Sequence, residues 1–492
     1  MAKKKSLQSP SHLNADNSLM NDPAERFRPL VPLEEQAAYE AALNLPIPTA
    51  IRMNPRKSHN TTADSLQARY DWKLEQIPFC DTGYRIANSP SINPGKTSEH
   101  RCGAFYIQDS ASMLPVSLFD PLKLQGSPLI LDMAASPGGK TTHLISASDD
   151  RGMILANDGS ASRITALKKV LKNWGSINHA VTNFPGERFG DWFPNTFDAI
   201  LLDAPCSMQG LVSSDTHPIR PITEREEKAL AARQLQLLES GLKALKPGGQ
   251  LVYSTCTLSP LEDEAVVDAL LRCYPEIVQI ENAQHRLPFP APGIVSDGIN
   301  TFDPALVNTV RLWPHRYQTA GFYAALLSKT GETAPSKQIA PTRDWNKSGF
   351  RSLSTKEAAA IAAVLEPVFG FDLRSNDHQL SMRDMELWEL PGTNFAPWMM
   401  SLPLKSVGMR VATQTSGGWI PDFDWVSLNF ARILHNRYRL ESKLTQLWLE
   451  GHDLRIDLPG LEKGTILYMV DEYDVPLGVG FVSSGRIRNL NK

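Results

Sequence analysis

Two hydrophobic patterns alternate through the middle of this 492-residue chain. A short, mostly apolar run at 128–133 has the length of a buried strand, and 152–157 reads as a second strand. Between such runs the apolar positions recur at helical spacing: Ile164, Leu167, Leu171 and Trp174 fall at steps of 3, 4 and 3, and Gly175 closes the segment. A weak strand is predicted around Ala180-Val181-Thr182 and a stronger one over 197–203. The next helix opens at a capping box, Thr223 with Glu226, and carries Leu235, Leu238, Leu242 and Leu245 on one face. Lys246-Pro247-Gly248-Gly249 stops it, and a strand over 249–254 follows. A second box, Ser259 with Glu262 and with Pro260 at the first helical position, predicts a helix bearing Val266, Val267, Leu270, Leu271 and Tyr274. Two late strands are expected near 307–312 and 321–327. Alternation this regular predicts an α/β fold built on a parallel sheet covered on both faces.

The flanks are less regular. Residues 1–25 are polar and rich in Ser and Asn, the composition of a disordered tail. A short amphipathic helix is predicted over 32–43, and Ala50-Ile51-Arg52-Met53-Asn54-Pro55 reads as a strand stopped by proline. The stretch 329–349, rich in Lys, Thr, Pro and Ser, reads as a linker between a central domain over 121–328 and a C-terminal region over 350–492. That last region shows a helical stretch (355–365), then β-type segments such as Gly408-Met409-Arg410-Val411-Ala412 and Gly478-Val479-Gly480-Phe481. Basic residues Arg486, Arg488 and Lys492 follow. It is expected to be a small α+β domain, and no internal repeat is visible.

Composition narrows the class without naming the chemistry. Apolar residues make up 42% and charged residues 21%, enough to build ordinary cores. A net charge of −3 sets up no global basic field, although a local basic groove for RNA is compatible with it. Length alone suggests about three domains. The five cysteines show no C-x-x-C spacing, which argues against both a disulfide scaffold and a zinc ribbon. The basic start, Met1-Ala2-Lys3-Lys4-Lys5-Ser6, leads into no apolar segment, and no apolar run reaches about 18 residues. The expectation is a soluble, monomeric, cytoplasmic protein with no metal and no membrane partner.

Cys206 and Cys256 carry the candidate chemistry. Each closes a predicted strand, the first in Asp203-Ala204-Pro205-Cys206-Ser207 and the second in Ser254-Thr255-Cys256-Thr257. Ligands of open α/β sheets bind where parallel strands end, so two thiols on consecutive strands could face one substrate. Inert buried thiols are the alternative, and Cys102 and Cys273, which lack such a setting, are read as structural. Asp203 ends an otherwise apolar strand and either caps a loop or hydrogen-bonds a ring nitrogen of a base. After the first strand, Ala134-Ala135-Ser136-Pro137-Gly138-Gly139-Lys140-Thr141 offers a glycine-rich turn and a helix N-terminus suited to an anionic group. It is not a phosphate-binding P-loop, which requires glycine where this chain has Ala134. Asp158 ends the second strand and suits a carboxylate that accepts from ribose hydroxyls. Lys140 is either a solvated first-turn lysine or a ligand-facing one.

Taken together, Asp132-Met133-Ala134-Ala135-Ser136-Pro137-Gly138-Gly139-Lys140-Thr141, Asp203-Ala204-Pro205-Cys206-Ser207 and Tyr253-Ser254-Thr255-Cys256-Thr257-Leu258 resemble the signatures of the Sun (Fmu) family of S-adenosylmethionine-dependent RNA cytosine-5 methyltransferases. The resemblance extends to Ile51-Arg52-Met53-Asn54, to Phe105-Tyr106-Ile107-Gln108-Asp109, to Gly408-Met409-Arg410-Val411-Ala412 and to Ile487-Arg488-Asn489. It implies a Rossmann-like methyltransferase core, an N-terminal RNA-recognition region over 26–120 and a PUA-like, RNA-binding C-terminal part. It also implies S-adenosyl-L-methionine as cofactor, held by Ala134, Ala135, Ser136, Pro137, Gly138, Gly139, Lys140, Asp158 and Asp203, and RNA of the small ribosomal subunit as partner. By position, Cys256 would attack carbon 6 of cytosine, Asp203 would stabilise the ring at N3, and Cys206 would assist loss of the carbon-5 proton and release of Cys256. Two places depart from the family pattern. Pro185 stands where the family has an acidic residue near adenine, and Met208-Gln209-Gly210 replaces a more glycine-rich turn. The competing readings are an RNA-binding ribosome assembly factor that has lost catalysis on the same fold, and a DNA cytosine methyltransferase, which would leave Thr255-Cys256 unexplained.

Overall fold

A nine-stranded sheet forms the centre of the computed structural model, which describes residues 23–58, 61–210, 221–334, 336, 338–375, 378–392, 395–456 and 460–491. Its strands are β1 (Leu129–Asp132), β2 (Met153–Asn157), β3 (His179–Thr182), β4 (Phe197–Asp203), β5 (Leu245–Thr255), β6 (Val278–Ile280), β7 (Val310–Leu312), β8 (Phe322–Lys329) and β9 (Ser406–Val407). They lie in the order β6-β8-β5-β4-β1-β2-β3-β9, with β7 also paired to β8. The alternating pattern forms α1 (Gly139–Ala147), α2 (Ile164–Trp174), α3 (Glu224–Ala244) and α4 (Glu264–Cys273). Neighbouring residues of one strand feed opposite cores: Ile130, Leu201 and Val252 pack on one face, and Leu131, Ile200 and Leu251 on the other. Burial on both faces is why these strands read as mostly apolar runs.

The sheet is parallel only in part. β3, β2, β1, β4 and β5 run parallel, as the alternation predicts. β8 returns antiparallel beside β5 and pairs antiparallel with β6 and β7 as well. No long helix separates β7 from β8, only Pro314–Tyr317, and a short connection joins neighbours antiparallel. In α3 the capping box at Thr223 forms, but the buried face runs through Ala231, Gln234, Leu237, Leu238, Gly241 and Leu242, with Leu235 only half-buried and Leu245 already in β5.

Ahead of this domain, Ala50–Met53 lies between Cys80–Ile86 and Phe105–Ile107 in an antiparallel four-stranded sheet completed by Leu74–Ile77. Arg52 is completely buried there, with its guanidinium 4.5 Å from the Trp174 ring. Its Nε donates to Gln108 Oε1 at 3.0 Å and one terminal nitrogen to the Gly139 carbonyl at 3.0 Å. Asn54 donates to the Gly103 and Trp174 carbonyls, both at 2.9 Å. Ile51-Arg52-Met53-Asn54 therefore fastens the N-terminal sheet to α1 and α2. The expected tail over 1–25 lies outside the described residues as far as 22, and Pro23–Phe27 is a helical turn with Phe27 buried.

In the stretch 329–349, Lys329 ends β8 with its ammonium donating to the Leu245 carbonyl at 2.7 Å, and Trp345 packs against Phe350 and Phe395. Beyond it come a five-stranded antiparallel sheet from Phe350–Ser352 to Gly418–Pro421 and a four-stranded sheet from Arg437–Arg439 to Arg486–Asn489. The C-terminal region is thus two sheets with helices, and it also lends β9 to the free edge of β3. Lys492 lies outside the described residues.

Candidate active site

Strand register brings the two cysteines together. β4 and β5 run parallel with Asp203 opposite Ser254, so their tips continue side by side. Cys206 Sγ lies 3.2 Å from Cys256 Sγ, although fifty residues separate them, and both are half-buried. The hydrogen bond to Cys256, reinforced by burial, pushes the Cys206 thiol well above its ordinary range. Cys206 therefore keeps its proton at neutral pH.

Asp203 and Lys140 form the polar wall beside the sulfurs. Asp203 accepts from Ser254 Oγ at 2.8 Å and from Lys140 Nζ at 2.7 Å. Lys140 also donates to Ser112 Oγ at 2.7 Å and stands 5.5 Å from the Phe322 ring. Burial disfavours the ammonium, but the Asp203 carboxylate outweighs it and raises the Lys140 pKa. Asp203 keeps 30% of its side chain exposed, so one side of the carboxylate faces open space above the strand tips.

The loop after Cys206 is held from below. The capping box predicted at Ser259 does not form: the helix begins at Glu264, and Asp263 caps it with no side-chain hydrogen bond. Ser259 Oγ instead donates to Glu227, and the Glu262 carboxylate accepts from the backbone N–H of Ser207 at 2.9 Å, from the Ser207 hydroxyl, and from Gln234 Nε2 at 2.9 Å. Gln234 Nε2 also reaches the Pro205 carbonyl at 2.9 Å. Burial raises the Glu262 pKa against these hydrogen bonds. Further along the loop, Gly210 donates to the Cys256 carbonyl at 3.0 Å and accepts from Gly321 at 2.9 Å. A Cβ at Gly210 would meet the Gly321 oxygen at 2.2 Å, so only glycine fits between the strands. Met208, in the turn that departs from the family pattern, adopts φ 58° and is exposed. Residues 211–220 lie outside the described residues.

The Cys256 side is clamped by a fully buried charge cluster. Arg311 donates to Glu264 Oε1 at 3.0 Å and to the Leu258 carbonyl at 2.9 Å, and its guanidinium lies 3.2 Å from Asp263 Oδ2. Asp263 in turn accepts from the Thr255 hydroxyl. The residues on both sides of Cys256 thus hang on one guanidinium. Burial drives the Asp263 pKa well up against the pull of Arg311, so Glu264, which takes two of the Arg311 hydrogen bonds, is the main partner of the guanidinium. Removing one partner of a buried pair leaves the other charge uncompensated, at a cost of roughly 3–5 kcal/mol. Arg311→Met is expected to lose stability on that scale, read as a lower urea midpoint for the tryptophan fluorescence transition. A midpoint unchanged from the parent would contradict the clamp.

On the other side of the sheet centre, the turn from Ala134 to Gly138 leads into α1. Gly138 adopts φ 119°, and a Cβ there would lie 2.9 Å from Val170, so the turn packs closely on α2. The first N–H groups of a helix have no partner within it and suit a carboxylate. Asp158 is buried, with one oxygen accepting from Ser136 N at 3.1 Å and the other from Ser160 N at 2.8 Å. Each oxygen retains a lone pair for a hydroxyl donor. Asn183 Nδ2 donates to the Asp158 carbonyl at 2.7 Å, while Pro185 is exposed and opens a short turn of helix at Gly186–Arg188. The polar side chain next to Asp158 after β3 is therefore the Asn183 amide. This donor set fits a molecule with a carboxylate at one end and a ribose at the other. Asp132, beneath the turn, accepts from Thr141 Oγ1 at 2.6 Å, and burial pushes its pKa up to about 7.

Cys206, Cys256, Asp203 and Lys140 thus meet in one place, and Asp158 lies with the Ala134-to-Gly139 turn in a neighbouring one. Sequence reasoning misses Ser112, Ser254, Ser207, Gln234 and Glu262. Only Glu262 leaves a signal in the sequence, and its spacing from Ser259 is that of a helix cap. Cys102 is buried, with its pKa raised by burial to about 11, as a structural thiol requires. Cys273 is exposed at the end of α4, whose buried apolar face passes through Val266, Val267 and Leu270 instead. Among the described residues, no cluster of metal-ligating side chains occurs, and no helix is long and apolar enough to cross a membrane.

Comparison with known proteins agrees with the layout. Residues 120–328 match the family model 16S rRNA methyltransferase RsmB/F, and residues 23–110 match the N-terminal domain of 16S rRNA methyltransferase RsmF. The chain is 33% identical over 477 residues to ribosomal RNA small subunit methyltransferase F of Erwinia tasmaniensis, covering 94% of both chains. Its identity to the protein of the same name from Vibrio cholerae is 31% over 455 residues, covering 92% of both. Among solved structures, a methyltransferase homolog protein from Pyrococcus horikoshii aligns with TM-score 0.53 at 28% identity, covering 62% of this chain and 93% of that one. NSun6 from the same organism, solved with SFG, aligns with TM-score 0.51 at 22% identity, covering 64% and 99%, and so shares the fold.

Proposed function

This chain belongs to the 16S rRNA methyltransferase RsmB/F family, and from that premise we propose that it methylates carbon 5 of a cytosine in small-subunit ribosomal RNA. The observation that carries the cytosine reading is the 3.2 Å approach of Cys206 to Cys256 beside Asp203. Carbon 5 of cytosine is a poor nucleophile, so a covalent bond at carbon 6 is needed to activate it. Cys256 forms that bond as a thiolate, and the proton that ring N3 gains is delivered through Asp203 from the Lys140 ammonium hydrogen-bonded to it, with Ser254 orienting the carboxylate. S-adenosylmethionine, when bound, supplies the methyl group. Its methionine carboxylate suits the N-terminus of α1, its ribose suits Asp158, and the Asn183 amide lies next to them. With Cys256 bonded to carbon 6, Cys206 no longer has that sulfur as its thiol partner. It gives its own proton to solvent and then, as a thiolate, takes the carbon-5 proton. Loss of that proton restores the ring double bond and expels Cys256. The target base must be unstacked to reach two thiols set at strand tips.

Bisulfite sequencing of 16S RNA from a strain lacking the gene, against its parent, tests this reading. One cytosine is expected to change from protected to converted in the deletion. An identical protection pattern in both strains would refute cytosine-5 methylation.

A further inference from the structure

The junction between residues 343–350 and the free edge of the sheet holds a second site, distinct from the cysteines. A cavity of about 140 Å3 opens there, with the Trp345 and Phe350 rings in its wall. These rings are parallel, 10° apart with centroids at 5.6 Å, and Trp388 meets Phe350 edge-on at 5.5 Å. All three aromatics are half-buried at this junction. The rim is basic: Lys168, Arg343, Arg383 and Lys405 line the same cavity and are exposed. Among the described residues none of the four has an ion-pair partner, and the one acidic lining residue, Asp344, is engaged in capping the Asn346 N–H. Arg383 lies 5.4 Å from the Phe350 ring, which keeps its charge over the aromatic surface.

We propose that this cavity binds one unpaired nucleotide of the substrate RNA, its base on the Trp345–Phe350–Trp388 surface and its phosphates against Lys168, Arg343, Arg383 and Lys405. Aromatic surface ringed by unneutralised cations is the chemistry that takes single-stranded RNA: every base has a face to stack, and every nucleotide has a phosphate. A duplex hides its base faces and would gain only the cations. The location suits a strand that also reaches the cysteines. Lys405 N donates to the Val181 carbonyl at the end of β3, and β9 lies four strands from β4. At about 4.8 Å per strand β4 and β9 are roughly 19 Å apart across the same sheet, a span of a few nucleotides along an extended chain. The proposal rests on RNA being the substrate.

Full-length protein titrated with a fluorescein-labelled, unstructured ten-nucleotide RNA, and separately with a duplex of equal length, tests it by anisotropy at fixed salt. Trp345→Ala is expected to weaken single-strand binding about tenfold and duplex binding little, while Trp345→Phe retains most of the affinity. Repeating the titration over a range of salt, the double change Arg383→Ala with Lys405→Ala is expected to reduce the salt slope for the single strand by about 1.4, because two phosphates are no longer neutralised. In methyl transfer to small-subunit RNA, both Trp345→Ala and the double variant should raise KM and spare kcat. Unchanged single-strand affinity in a folded Trp345→Ala protein overturns the site, as does equal weakening for single strand and duplex. If Trp345→Ala does not fold, the surface double variant decides: an unaltered salt slope overturns the proposal. Parent protein that transfers no methyl group to RNA would instead strike at the function itself.

Discussion

Cys256→Ala is expected to abolish methyl transfer from labelled S-adenosylmethionine to small-subunit RNA, a fall on the order of 10⁴-fold or more. The loss should be chemical and not structural. Cys256 is only half-buried, and nearby Thr255 and Leu258 are held by the Arg311 cluster through hydrogen bonds that do not use the Cys256 sulfur. Thermal melting of the variant should therefore match the parent, and cofactor affinity by calorimetry should persist, because the Ala134-to-Gly139 turn and Asp158 are untouched. Residual turnover within tenfold of the parent would mean that no covalent bond through Cys256 is required.

Cys206→Ala is expected to do something different: the protein should become trapped on its RNA. Cys206 keeps its proton in the resting pair, since its hydrogen bond to Cys256 and its burial both favour the neutral thiol. On the proposed route Cys256 is bonded to carbon 6 when the methyl group arrives, so the hydrogen bond that holds up the Cys206 pKa is lost. Cys206 can then release its proton to solvent and, as a thiolate, take the carbon-5 proton while Cys256 leaves as a thiolate. Without it the bond from Cys256 to carbon 6 forms and stays. Turnover should fall about 10²–10⁴-fold, the usual worth of a positioned acid–base group, and a protein–RNA band should survive denaturing electrophoresis. The band must vanish in the double variant Cys206→Ala with Cys256→Ala. Normal turnover with no adduct in Cys206→Ala would reverse or dissolve the division of labour between the two sulfurs.

The parts of this site legible in the sequence are those whose chemistry depends on chain position along a strand. Cys206, Cys256, Asp203 and Asp158 all end apolar runs, and the parallel register of β4 and β5 turns that local fact into contact between the two sulfurs. The residues that are illegible support the site from elsewhere in the chain. Ser112 reaches Lys140 across 28 positions and Glu262 reaches Ser207 across 55, which no local pattern encodes. Ser259 with Glu262 shows the failure in its sharpest form. The pair has the spacing of a helix cap, yet buried donors on Ser207 and Gln234 compete for the Glu262 carboxylate and win it, so the helix starts later. The fold behaves in the same way. Strand–helix alternation predicts parallel neighbours, but β6, β7 and β8 are joined by pieces without a long helix and turn antiparallel. At the far edge, two residues of strand at Ser406–Val407 are too short to register as a period.

That short strand bears on how the chain matures. Synthesis proceeds from the N-terminus, so β3 is complete more than two hundred residues before Ser406 and Val407 leave the ribosome, 406 minus 182 being 224. Throughout that interval one side of β3 presents bare N–H and C=O groups, and exposed strand edges of this kind invite pairing between chains. The last part of the protein thus acts as a late-arriving guard for the catalytic sheet. A chain ending before residue 406 would carry both cysteines and the strands that place them, but with one flank of the sheet adhesive.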